Sequence, residues 1–174
     1  MRLVLVTHFY PAHGGGVELV AARLAHEMAD AGNEILWCAS NTDEPPRIRG
    51  VTCEPMHGLN LVEQLTGMPY PLWYPASMAR LVRQIRDSDA VHVHDCIYLG
   101  SIMAAQAARR FGKKLIVTQH IGERPMPWAL GAMLGLAYRI GARWVLKPAD
   151  GVAFISPAVR RYFERCLLYT SRCV

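Results

Sequence analysis

The segment His8-Phe9-Tyr10-Pro11-Ala12-His13-Gly14-Gly15-Gly16-Val17-Glu18 follows an apolar run, Leu3 to Val6, and opens an amphipathic helix. A strand, a glycine-rich turn and a helix start bring bare backbone N–H groups and the positive helix end to one point, where an anion can sit. Three glycines in a row let the backbone approach a phosphate or a sugar hydroxyl closely, and also suit plain relief of crowding at a strand-to-helix turn. Glu18 either takes part in such a site or only complements the helix N-terminus. Two further histidines close apolar runs: His94 after Val91-His92-Val93, and His120 after Leu115 to Val117, ahead of Ile121-Gly122-Glu123-Arg124. An imidazole in such a place could hydrogen-bond a hydroxyl or take part in acid–base steps. The plainer reading makes His92 a satisfied core histidine and His120 a loop cap bonded to backbone. His92 and His94 have a spacing that suits strand-borne metal ligands, but no third ligand is fixed by spacing, so no metal is expected.

The elements that must position these residues alternate. Residues 17–31 are apolar at helical spacing with Gly32 as the terminator, 35–39 and 51–54 read as strands, and 76–86 as a helix. Residues 90–94 are a strong strand, 101–111 a helix stopped by Gly112, and 114–119 another strand. Residues 128–146 make one long helix or two short ones, 151–155 a last strand and 157–165 a helix with proline near its start. Residues 57–75 read as an irregular segment containing prolines and a tryptophan and show no motif. Repeated β-α units with continuously apolar strands predict an α/β fold: a doubly wound, Rossmann-like parallel sheet with helices on both faces. Ligands in such sheets collect beyond the carboxyl ends of the strands. That rim receives His8, His13, His94 and His120, with Glu18, Asp95, Glu123 and Arg124 nearby.

Composition narrows the function classes. The chain has 174 residues, 52% hydrophobic and 19% charged, which describes one globular core. Nineteen Lys and Arg against fourteen Asp and Glu give a net charge of +5, a weak bias toward anionic ligands or membrane surfaces. The five cysteines are scattered and contain no C-x-x-C pair, so neither a disulfide framework nor a zinc site is indicated and a reducing cytoplasm is the default. The apolar start is too short for a signal peptide, and no stretch reaches the roughly 20 residues of a spanning helix. Leu19 stands where a dinucleotide fingerprint requires its third glycine, and there is no P-loop. The helical region 128–147 pairs Leu130, Met133, Leu134, Tyr138 and Val145 with basic Arg139, Arg143 and Lys147. Such a helix could lie on an anionic bilayer, although a core-packed helix with a solvated basic face is the commoner outcome. No basic stripe is interleaved with aromatics, so nucleic acid is not an expected partner.

Taken in order, Phe9-Tyr10-Pro11 with Gly15-Gly16-Val17-Glu18, then Val91-His92-Val93-His94, Val117-Thr118-Gln119-His120 and Phe154-Ile155-Ser156-Pro157-Ala158-Val159 resemble the amino-terminal domain of a GT-B glycosyltransferase of family 4. The resemblance runs from Met1 to about Arg165. It implies transfer of a sugar, of hexosyl type, from a nucleotide-sugar donor to a polysaccharide, lipid-linked or small-molecule acceptor, with retained anomeric configuration and neither cofactor nor essential metal. By resemblance Gly15 and Gly16 belong to the loop that approaches the donor, and His120 matches the active-site histidine that contacts the donor sugar. Glu18 is carried over to the acceptor side and His94 to the inter-domain cleft. Glu123 and Arg124 complete the expected substrate contacts.

The family also carries a second Rossmann-like domain that binds most of the nucleotide. Residues 1–165 thus correspond to the acceptor-side domain, and 166–174 read as an irregular, truncated or misread tail that does not lead into a donor-binding domain. The isolated chain is accordingly expected to be inactive, and cytoplasmic or peripheral at the inner face of a membrane, with roles in envelope or polysaccharide synthesis. The competing readings are a noncatalytic acceptor- or membrane-binding module working with a separate partner, and a fragment of a nucleotide-sugar epimerase.

Overall fold

The computed structural model describes residues 1–121 and 128–167. Its centre is a six-stranded parallel sheet built from β1 (Arg2–Val6), β2 (Glu34–Ser40), β3 (Val51–Met56), β6 (Ala90–His94), β7 (Lys114–Gln119) and β8 (Gly151–Phe154), in the spatial order β3-β2-β1-β6-β7-β8. Every pairing in it is parallel, with Leu5 opposite Trp37 on one side and His92 on the other. β1, β2 and β6 are buried almost throughout, because both sheet faces are covered there.

α1 (Gly16–Asp30) covers one face, where Ala21 and Ala25 pack on Leu3, Leu5, Ile35 and Trp37. The other face holds the larger core, in which Val4, Val6, Val91 and Val93 meet α3 (Pro75–Arg86) through Leu81 and Ile85, and α4 (Leu99–Arg110) through a run of alanines. α5 (Trp128–Gly141) passes into a π-helical turn, Ala142–Leu146, and then comes β8, followed by α6 (Pro157–Leu167). The doubly wound, Rossmann-like layout is therefore present, and Gly32 and Gly112 take the positive φ expected of residues just past a helix.

Residues 57–75 are not irregular throughout. Gly58–Leu59 (β4) pairs antiparallel with Leu72–Trp73 (β5), and α2 (Leu61–Thr66) lies between them. Strands of two residues carry no period, which is why the sequence pattern does not show them. A Cβ at Gly58 would collide with the backbone of Leu72 and Trp73, so this close crossing needs glycine. The region 128–146 continues as one helix, and Tyr138 and Val145 are in the core. Met133, expected on the apolar face, is instead 57% exposed, because the core-facing arc is taken by Tyr138, Ala142 and Val145. Among the described residues no helix is long and apolar enough to cross a membrane.

Gly141 lets α5 approach the loop after β6, since a Cβ there would strike the Cys96 carbonyl, whereas a Cβ at Gly135 meets nothing. The two glycines of one helix therefore predict opposite results. Gly135→Ala raises stability by up to ~1 kcal/mol through helix propensity. Gly141→Ala lowers it by ~1–3 kcal/mol through overpacking, both read by urea unfolding.

Candidate active site

The strand order reverses direction between β1 and β6, and at such a switch point the loops beyond the carboxyl ends part and leave a crevice. Here that crevice is a cleft of about 640 Å³ walled by His8, His13, the Gly14–Gly16 run, Glu18, Tyr98 and His120.

The glycine run starts from a 3-10 turn, Pro11–His13, whose first residue has the fixed φ of proline. Gly14 follows at φ +88°, a conformation that favours glycine. Gly15 is the N-cap of α1 and offers no capping side chain; a Cβ on it would run into the Glu18 carboxylate. Gly16 has open space where its Cβ would be and a helical φ, so neither strain nor crowding requires glycine at that position. What remains is open space beside the start of α1, whose N-cap makes no side-chain hydrogen bond.

Glu18 is buried and bonds His8 (Oε1 to Nε2, 2.9 Å), and the His8 ring stacks on Tyr98 at 4.0 Å between centroids. Burial alone would raise the Glu18 carboxyl, but the hydrogen bond and charge of His8 outweigh it, and the group is held below its ordinary range. His13 stacks on Phe9 at 3.7 Å and is gripped from both ring nitrogens, Nδ1 by Asp43 and Nε2 by Glu63, each at 2.9 Å. It ties the glycine turn to the loop after β2 and to α2.

The second wall is organised by Asp95, a fully buried residue at φ +61° directly after β6. Its Oδ1 accepts three N–H bonds: from Gln119 Nε2 (2.7 Å), the His120 amide (2.8 Å) and the Ile121 amide (3.1 Å). Gln119 completes the stitch, donating also to the Ile121 carbonyl and accepting from the Cys96 amide. Burial pushes the Asp95 carboxyl up to about 6, opposed by the two backbone amides, so it is ionised at neutral pH.

Held this way, His120 places Nε2 2.8 Å from Nδ1 of His94, which lies wholly buried behind it. His92 stacks on His94 at 4.8 Å and bonds Thr118 Oγ1. Burial, and then the charge of neighbouring histidines, lowers His92 to about 4 and His94 well below its usual range; burial and the charge of His8 lower His120 to about 4. The three rings are therefore neutral near pH 7. His94 Nε2 has no partner, and a buried lone pair without a donor is better tolerated than an orphaned buried N–H. That assigns the shared proton to His94 Nδ1, makes His120 Nε2 the acceptor, and leaves the His120 Nδ1–H to donate toward the cleft.

Gly15, Gly16 and Glu18 thus line one cleft together with His120, whereas His94 sits one ring behind His120. Glu123 and Arg124 lie outside the described residues. The residue pattern places Asp95 and Tyr98 on the rim, the former not as its organiser, and does not pick out Asp43 or Glu63. An aspartate directly after the buried strand β6 is the available signal for the first, while Asp43 and Glu63 come from segments without a motif.

A family model described as Glycosyltransferase Family 4 matches residues 14–173. Among solved structures, Anabaena Alr3699/HepE in complex with UDP superposes with a TM-score of 0.60 at 16% identity, over 95% of this chain and 40% of that one. Acinetobacter baumannii MurG gives 0.58 at 14% identity over 99% and 44%, and the lipopolysaccharide outer core galactosyltransferase WaaB 0.57 at 14% over 100% and 44%. At these identities the likeness is one of fold. The chain spans less than half the length of these three structures. No curated protein matches it in sequence.

The buried histidines set a pH dependence of stability. Folded values below the unfolded 6.5 mean that their contribution is complete above pH 6.5 and is lost as pH falls toward 4. Asp95, raised to about 6, works in the opposite direction between about 6 and 4, but is outnumbered by the three rings. Unfolding free energy should therefore be flat between about pH 7 and 8 and drop below pH 6.5. His92→Asn should make that slope shallower by about 1 kcal/mol per pH unit. Stability that rises on acidification would contradict the arrangement.

Proposed function

The chain belongs to glycosyltransferase family 4, and on that premise we propose that its cleft is the amino-terminal half of a site that moves a sugar from a nucleotide-sugar donor to an acceptor hydroxyl. The observation that carries this reading is the meeting of the open glycine turn with a neutral, N–H-donating His120 across one crevice. The first-turn N–H groups of α1 would receive oxygens of the donor phosphates or sugar. His120 Nδ1–H would donate to a sugar hydroxyl and orient the ring, a neutral donor being suited to a neutral partner. Glu18, kept ionised by His8, faces the same space from the glycine side and is assigned to the acceptor. One of the similar structures is crystallised with UDP, which supports a nucleoside diphosphate as the leaving group.

The transfer is proposed to proceed with retention and without an essential metal. The chemistry of the donor set supports the second point: Glu18 is committed to His8, Asp43 and Glu63 to His13, and Asp95 to three N–H groups. The other half of the site, with most of the nucleotide contacts, belongs to a carboxyl-terminal domain of the size that the similar structures carry beyond the matched region.

The test is release of nucleoside diphosphate from a panel of nucleotide sugars by the full-length protein containing this chain, with the anomeric configuration of the product read by NMR. His120→Ala should lower kcat about a hundredfold or more, the usual cost of one oriented donor, and the 174-residue chain alone should give no turnover. Undiminished turnover by His120→Ala, or activity of the isolated chain, would contradict the proposal.

A further inference from the structure

We propose that Asn41, His57 and Tyr74 form a subsite for a neutral glycan chain, so that the acceptor is an oligosaccharide or polysaccharide whose reacting end lies in the cleft. The inference rests on the transferase reading for the direction in which that chain runs. Asn41 follows the end of β2 and His57 the end of β3. α3 starts at the same rim, where the Tyr74 amide donates to the His57 carbonyl at 2.9 Å, and it ends near the start of β1, where the Asp89 amide donates to the Arg2 carbonyl. The Asn41 side-chain amide donates to His57 Nδ1 at 3.1 Å. With Nδ1 accepting, a neutral His57 ring carries its N–H on Nε2, and neither that nitrogen nor the Asn41 side-chain oxygen has a partner among the described residues. The Ser77 hydroxyl also donates to the His57 carbonyl, at 2.9 Å, which fixes the cluster at its base. Tyr74 is 45% exposed, and among the described residues its ring stacks on no other aromatic and its hydroxyl makes no hydrogen bond. The rim therefore presents an N–H donor, a C=O acceptor and an open aromatic face side by side. That set suits a pyranose, whose neighbouring hydroxyls both donate and accept and whose C–H face lies on an aromatic ring.

The charges select a neutral occupant. Residues 50–79 contain no lysine or arginine. Arg47 and Arg49 precede β3, and Arg49 pairs with Asp30 at the end of α1, on the opposite side of the sheet from the rim. Arg80 is bonded to Glu54. A phosphate or an anionic polymer would find no unpaired cation in these segments. Position then ties the cluster to the cleft. Asn41 and Asp43 belong to one loop, and Asp43 bonds His13, which lines the cleft. In the order β3-β2-β1 the end of β3 stands two strand spacings, about 10 Å, from the end of β1, where the cleft opens. A sugar reacting beside Glu18 and His120 thus has the rest of its chain lying over His13 and onto Tyr74.

Binding of glycans is read without any transfer, by titration calorimetry and saturation-transfer NMR on the full-length protein containing this chain. The probes are maltotetraose and cellotetraose, two neutral chains of different shape, with glucose as the single ring and tetragalacturonate as the charged chain. At least one neutral tetrasaccharide should bind about tenfold or more tightly than glucose. Tyr74→Ala should weaken that tetrasaccharide by about tenfold and leave glucose unchanged, through loss of one stacked ring. Asn41→Ala and His57→Ala should each weaken it severalfold. All three side chains are exposed, and circular dichroism checks that the variants remain folded. Neutral tetrasaccharides bound no more tightly than glucose, or bound equally well by Tyr74→Ala, overturn the subsite even where the protein consumes nucleotide sugars. Tighter binding of tetragalacturonate than of either neutral chain also overturns it. Tetrasaccharide binding that depends on Tyr74, in a protein that consumes no nucleotide sugar, upholds the subsite and overturns the transferase reading instead.

Discussion

The buried carboxylate of Asp95 is the constraint on which the cleft depends. The ends of two parallel strands ordinarily leave amides without ladder partners, and here those of His120 and Ile121 are closed by one oxygen that also holds the Gln119 side chain. Reaching them requires the chain to turn sharply out of β6, which Asp95 achieves in the left-handed region, where aspartate is among the more tolerated non-glycine residues. Without this tie the segment carrying His120 would have no fixed relation to β6. With it, the His120 ring is brought against His94, and one nitrogen is committed inward while the other serves the cleft.

The opposite wall follows a different logic. It is secured by carboxylate–imidazole hydrogen bonds rather than by one acceptor: Glu18 with His8, and His13 between Asp43 and Glu63. These contacts satisfy the carboxylates around the glycine turn and leave the N-cap of α1, Gly15, without a side-chain hydrogen bond. The carboxylates near the start of α1 are thereby each hydrogen-bonded to an imidazole, so an anionic ligand does not meet bare carboxylates at the place where the helix end favours it. The two walls divide the work, with an open helix start on the glycine side and a neutral donor presented from the histidine side.

Much of the frame was legible in the sequence. Continuous apolar strands such as Leu3 to Val6 and Val91 to Val93, with helices between them, dictate a covered parallel sheet, and that sheet then dictates which loops meet. Gly32 and Gly112 mark helix ends because only backbone geometry is at stake there. The site was legible in part: the histidines and glycines could be placed on one rim, but the hydrogen bond between His94 and His120 depends on a register of β6 against β7 that no spacing reveals. The hairpin of β4 and β5 is too short to leave a period. In α5 the apolar residues run nearly all round, so the pattern could not separate the arc that packs on Tyr138 from the arc that carries Met133 outward.

The central claim is that His120 is held neutral, with its proton on Nδ1 facing the cleft. Long-range proton–nitrogen NMR correlations on histidine-labelled protein read that directly. The account predicts a His120 ring protonated at Nδ1 and bare at Nε2, taking up a second proton only near pH 4. A His120 that titrates near 6.5, or that carries its proton on Nε2, would contradict it.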